Sequence, residues 1–189
     1  YTMDPYDLRK KVTKRTKAII PVHLYGHVAY MEEIIEVAKK NNLKIIEDAS
    51  QSLGSKFKGK HSGTFSHLGC FSFYGAKVTT SGEGGAIVTD DKNLCEKLKQ
   101  IRNHGQSKNN LITRLGLNLR LSEINAAIAK IQMKKLSLFL MQRKRNAKIL
   151  TELLQNCDVI LPKQRKNEIF NWYLYTIAHK NRNKIMKKL

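Results

Sequence analysis

Acidic residues are scarce in this chain: 15 Asp and Glu stand against 35 Lys and Arg, a formal net charge of +20 over 189 residues. An excess of this size raises nucleic-acid binding as a possibility. The basic residues are spread along the chain, however, with bunches at 9–17, 134–148 and 180–188, and no aromatic interleaving or nucleic-acid motif accompanies them. They read as solvated helix faces that could also steer anions, so nucleic acid is not an expected partner. Cysteine is equally sparse. Cys70, Cys95 and Cys157 are odd in number and lack metal-like spacing, which excludes a disulfide scaffold and suits a reduced, cytoplasmic protein. No apolar run approaches the ~18 residues of a membrane span, and residues 1–17 do not resemble a signal peptide. The six histidines form no recognisable ligand set, so no metal is expected. There is no P-loop and no complete G-x-G-x-x-G after a strand, no internal repeat and no low-complexity segment.

What is present is an alternation of strand and helix patterns at 41% hydrophobic content. Asp4-Pro5 reads as a helix start, with Pro at the first helical position. Residues 18–24 read as a strand. Residues 30–40 form a helical pattern with Met31, Ile34, Ile35 and Ala38 on one face. Strands follow at 44–47, 68–73 and 85–89, with a small turn around Gly59 and a helix at 91–102. A helical pattern from Ser122 to about Gln155 is long for one globular helix, so a bend is expected between Lys134 and Arg143. Residues 171–178 read as another strand, with Trp172 in a core, and 183–189 as a helix start. This alternation predicts an α/β fold with a mostly parallel sheet flanked by helices.

Two stretches carry chemistry. In the first, an apolar strand at 70–73 breaks into a Gly/Ser/Thr-rich turn that holds one lysine, Lys77. Partial burial at such a place disfavours a lysine's charge and makes its amine nucleophilic, able to form a Schiff base with an aldehyde. By itself Lys77 reads better as one of many surface lysines; its neighbours reverse that order. In the second, the apolar run at 43–46 ends in Glu47-Asp48-Ala49-Ser50-Gln51. Ligands of open parallel sheets sit beyond the carboxyl ends of the strands. A carboxylate there could keep the nitrogen of a pyridine cofactor protonated, or Asp48 could simply cap a turn.

Four stretches in order give the chain a family resemblance. They are residues 18–26 (Ala-Ile-Ile-Pro-Val-His-Leu-Tyr-Gly), 47–51, 70–85, and Arg102-Asn103-His104-Gly105 together with 115–124. The sequence resembles the DegT/DnrJ/EryC1/StrS family of aminotransferases, which use pyridoxal 5′-phosphate and act on nucleotide-linked sugars. The resemblance implies the type I fold of pyridoxal-phosphate transferases, similar to aspartate aminotransferase. Residues 1–135 would belong to the large cofactor domain, and 136–189 to a linking helix and the start of a small domain.

It implies roles too. Lys77 matches the lysine that holds the cofactor as an internal aldimine and then shuttles protons. Asp48 matches the acid on the pyridine nitrogen, Gln51 the contact to the ring hydroxyl, and Ser72 a hydroxyl on the phosphate. Asn118 matches a residue that reaches the phosphate from a neighbouring subunit, so a homodimer with a shared active site is implied. The partners would be an amino-acid donor, glutamate by expectation, and a nucleotide-linked ketosugar.

Some positions depart from the family. Tyr74-Gly75-Ala76-Lys77 replaces the more frequent runs, Ser81 stands where threonine is common, and Leu119 and Leu121 flank Arg120. Residues 1–17 resemble an interior segment of the family, and the chain stops at Leu189 partway through the small domain. A fragment is therefore expected, with the isolated chain inactive. The alternatives left open are a sugar dehydratase on the same cofactor, a catalytically incompetent remnant and a basic nucleic-acid-binding module.

Overall fold

In the computed structural model, which describes residues 1–188, the chain opens with α1 (Pro5–Lys11). The Asp4 carboxylate accepts the Tyr6 N–H at 2.8 Å, and Pro5 occupies the first turn, where no amide is needed. Next come β1 (Ala18–Ile19), a short turn at Leu24–Gly26, α2 (Met31–Lys40) and β2 (Lys44–Asp48). A hairpin of β3 (Lys56–Phe57) and β4 (Lys60–His61) precedes β5 (Leu68–Ser72) and β6 (Gly85–Val88). α3 (Lys92–Arg102), α4 (Glu123–Lys134), α5 (Leu136–Leu154), β7 (Glu168–Ile169) and α6 (Arg182–Met186) complete the order.

The main sheet runs β1-β2-β5-β6. The first two pairings are parallel and the last is antiparallel, so the α/β architecture with a mostly parallel sheet is observed. α2 lays Met31, Ile34, Val37 and Ala38 against Ile19, Val28, Ala29, Leu43 and Ile45. Each fully buried Ile or Met in this layer contributes ~1.5–3 kcal/mol, and the layer anchors the amino half of β2. β3 pairs with both β4 and β7, which binds the late chain to the early chain.

Several elements differ from expectation. The strand expected at 18–24 is confined to Ala18–Ile19. Pro21 has no amide to donate, and Tyr25 (φ 61°) and Gly26 (φ 102°) turn the chain; Val22 still forms an isolated bridge to Asp48. The long helical pattern divides at Lys135, the upstream edge of the expected bend, into α4 and α5. The strand expected at 171–178 is absent. Trp172 turns back at φ 54°, and only Ala178 pairs, with Ile160. Trp172 is half-buried in an aromatic stack, with Phe170 at 4.3 Å and Tyr175 at 5.7 Å between ring centroids. The last helix begins at Arg182; Leu189 lies outside the described residues.

Candidate functional site

The parallel register of β2 and β5 pairs Ile46 with Leu68, Glu47 with Gly69 and Asp48 with Cys70. Asp48 and Ser72 therefore end neighbouring strands at the carboxyl edge of the sheet, where α/β folds bind ligands. The close approach that makes this edge needs glycine at position 69, because a Cβ there would strike the Gly63 carbonyl. Asp48 is half-buried. Its Oδ1 accepts the Ser50 N–H at 3.0 Å, and no donor among the described residues takes Oδ2. Burial pushes the Cys70 thiol up, and the Asp48 charge beside it adds to the rise. Gln51 sits on the loop after β2; its Oε1 accepts the Tyr25 N–H at 2.7 Å, which leaves its amide nitrogen to donate. Ser72 Oγ accepts the Tyr74 N–H at 3.3 Å, which leaves the hydroxyl proton free.

Lys77 lies on the turn that follows β5. The turn is pinned by bonds from Phe73 N–H to the Gly84 carbonyl (2.8 Å), Ser81 N–H to the Phe73 carbonyl (2.9 Å) and Lys77 N–H to the Tyr74 carbonyl (3.0 Å). Val78 and Thr79 are buried behind it, and Lys77 itself is half-buried. α4 closes the far side, with Asn125 Nδ2 donating to the Glu83 carbonyl at 3.0 Å. Sheet and turn thus bring Asp48, Gln51, Ser72 and Lys77 to one edge of the molecule. Asn118 is not among them. It is exposed in the segment that bridges back to Asn103, and its Oδ1 accepts Arg120 Nε at 2.9 Å.

Sequence reasoning missed the residues that brace this edge. Glu47, one residue before Asp48 and on the opposite face of β2, is fully buried. Its carboxylate accepts His23 Nε2 (2.9 Å), Gly63 N–H (2.7 Å), Ser66 N–H (2.8 Å) and Ser66 Oγ (2.9 Å). His23 Nδ1 accepts the Ala29 N–H at 3.0 Å, which assigns the ring proton to Nε2. Asn171 is the second missed brace. Its amide donates to the Gln51 carbonyl (2.9 Å) and the Leu53 carbonyl (3.0 Å), its N–H to Ser55 Oγ (3.1 Å), and its Oδ1 accepts the Tyr173 N–H (2.9 Å). A Cβ at position 26 would collide with the Asn171 side chain and the Phe170 ring, which explains Gly26. The alternation of β2 was the one available signal for Glu47; nothing local marked Asn171.

A further buried residue that sequence reasoning missed is Glu168. It accepts His27 Nδ1 at 3.0 Å, Val28 N–H at 2.8 Å and Arg165 Nε at 3.4 Å. Burial alone would raise its carboxyl, but the His27 hydrogen bond and charge, the Val28 amide and Arg165 outweigh that and hold it at about 2. His23 and His27 stand four residues apart, a spacing that metal sites can use, but each is bonded to its own glutamate. A cleft of about 560 Å³ opens at the amino end of β2 beside Leu43 and Lys44. Open α/β sheets bind their ligands outside the opposite, carboxyl ends of the strands, and none of the four edge residues lines this cleft. No described helix is long and apolar enough to cross a membrane.

The model of the DegT/DnrJ/EryC1/StrS aminotransferase family matches residues 1–189. The chain is 38% identical to a Geobacillus stearothermophilus protein described as a pleiotropic regulatory protein, over 98% of this chain and 51% of the relative. It is 37% identical to a GDP-perosamine synthase of Escherichia coli O157:H7, over 94% of this chain and 49% of that enzyme. The X-ray structure of S. venezuelae DesV in complex with a ketimine intermediate superposes with a TM-score of 0.93 at 34% identity, covering 98% of this chain and 51% of that one. The fold is that of the pyridoxal-phosphate-dependent sugar aminotransferases, and the chain spans about half the length of the relatives it matches.

Proposed function

Because the chain belongs to the DegT/DnrJ/EryC1/StrS aminotransferase family, we propose that the protein containing it moves an amino group from an amino acid, glutamate by expectation, to a keto group of a nucleotide-linked sugar. The observation that carries this reading is the gathering of Asp48, Gln51, Ser72 and Lys77 at the carboxyl edge of β2 and β5. Their free valences suit pyridoxal 5′-phosphate: an unclaimed carboxylate oxygen on Asp48, an amide donor on Gln51, a hydroxyl donor on Ser72 and one amine on Lys77. When bound, that cofactor supplies an electron sink for carbanionic charge at the amine-bearing carbon.

In this reading each side chain has a defined task. Asp48 keeps the pyridine nitrogen protonated through its free oxygen. Gln51 donates to the ring oxygen, its orientation set by the Tyr25 amide. Ser72 donates to the phosphate, with the backbone amides of the Gly82–Gly85 turn as neutral companions. Lys77 would hold the cofactor's aldehyde through its amine, and the same amine would serve as the proton-carrying acid and base of the site. The exposed position of Asn118 fits service to a second copy's phosphate, so a homodimer with a shared site is part of the proposal. So is the division into a cofactor domain (1–135) and a linking helix with the start of a small domain (136–189). The chain spans about half the length of its relatives, so activity is proposed for the whole protein that contains it.

The test supplies full-length protein with pyridoxal phosphate, ¹⁵N-labelled glutamate and a panel of nucleotide-linked ketosugars, and weighs the sugar products by mass spectrometry. Transfer of ¹⁵N to a sugar, lost in Lys77→Ala, is the expected result. A dehydrated sugar with no nitrogen gained, or unchanged transfer by the alanine variant, refutes the proposal.

A further inference from the structure

The Lys77 amine does not face empty space: its Nζ lies 5.2 Å from the centre of the Tyr173 ring. An ammonium within about 6 Å of an aromatic face is attracted by the ring quadrupole. The two partners come from distant parts of the chain, and each is fixed without the other. The Lys77 turn is pinned by the bonds of Phe73 and Ser81. The Tyr173 backbone is held at both ends of its peptide: its N–H donates to Asn171 Oδ1 at 2.9 Å, and its carbonyl accepts Arg143 Nη1 at 3.1 Å. The same Arg143 nitrogen donates to the Trp172 carbonyl at 3.1 Å. Trp172 adopts a left-handed φ of 54°, uncommon for a bulky residue and held here by its neighbours' bonds. Asn171 in turn is tied to the Gln51 loop. The turn at 171–173 therefore shares its supports with a residue of the candidate site.

We infer that Tyr173 is a positioning residue of this site: its ring face holds the Lys77 amine toward the carboxyl edge of the sheet, and Asn171 and Arg143 hold the ring. The inference rests on the proposed function for its purpose, but the contact itself does not. The ring, not the phenol oxygen, carries the role, so phenylalanine should substitute and a leucine or methionine of similar bulk should not.

Two labelling reactions on the full-length protein separate the contact from the function. Lysine acylation by sulfosuccinimidyl acetate needs no cofactor. Borohydride fixation of pyridoxal phosphate reports the directed reaction. Both are read at the Lys77 peptide by mass spectrometry, with the other lysines as internal controls and thermal melting as the check on folding. Tyr173→Phe is expected to match the parent within about twofold in both. Tyr173→Leu and Tyr173→Met, of which one folded variant suffices, are expected to acylate Lys77 at least threefold faster and to fix pyridoxal phosphate at least fivefold more slowly, other lysines unchanged. Parental acylation in a folded Leu or Met variant overturns the contact. Altered acylation with parental fixation overturns the positioning role. No fixation at Lys77 in the parent, while acylation still responds to Tyr173, refutes the functional reading and the positioning role with it, and leaves the contact standing.

Discussion

Glu47 and Glu168 are both buried glutamates bonded to a histidine, yet they solve different problems. Glu47 gathers donors from His23, Gly63 and Ser66, none more than 24 residues away in sequence, and braces the strand whose next residue is Asp48. No arginine is involved. Glu168 gathers His27, Val28 and Arg165 and clasps β7 to the turn before α2, some 140 residues earlier. Its partners include cations, and its carboxyl is held at about 2. The first is a fixed acceptor inside one layer. The second is an ion-paired clasp between early and late chain, with its carboxyl held well below the ordinary value.

The largest expected effect separates them by burial. Glu47→Ala strands three backbone or ring N–H donors in a fully buried site and should cost about 3–5 kcal/mol in denaturant unfolding of the full-length protein. Glu168→Gln keeps the shape but removes the charge opposite Arg165 and His27, whose side chain is partly exposed, and should cost about 2 kcal/mol. If the two costs come out reversed, the contrast drawn here is wrong.

The pH dependence tests the Glu168 clasp on its own. Glu168 has a depressed carboxyl, so its contribution is fully present above the usual value of 4.5 and fades as pH falls toward about 2. Stability measured from pH 6 down to 2 should drop with a steeper slope in the parent than in Glu168→Gln. Equal slopes would show that the clasp is not charged. The smallest stability change is expected at Asp48, which has a single internal hydrogen bond. Asp48→Asn should stay within about 0.5 kcal/mol of the parent while amino transfer falls by about 10²-fold or more. A large stability loss at Asp48 would move it from the site into the framework.

Local signals reached some parts of the molecule and not others. Asp4-Pro5 and Asp91 announce their helices because the capping chemistry is local. The periodicity of α2 shows because one face meets the core. The edge residues Asp48 and Lys77 were legible as a strand end and a polar turn after a strand, whereas Gln51 and Ser72 came only through the family resemblance. The aromatic run at 171–178 looked like a strand on composition, but Asn171 spends its side chain on Gln51 and Leu53, about 120 residues away. Such long-range bonds leave no periodic trace. The same holds for Glu168, whose partners Val28 and His27 come together only in the fold.

The central claim, that Lys77 is the covalent anchor of a pyridine aldehyde at this edge, is tested most directly by absorbance titration of full-length protein with pyridoxal 5′-phosphate, beside a Lys77→Ala control. The account predicts a lysine-dependent absorbance change in the parent that borohydride renders permanent, with the added mass on the Lys77 peptide and none in the control. An identical change in Lys77→Ala, or no change in a folded parent, would contradict it.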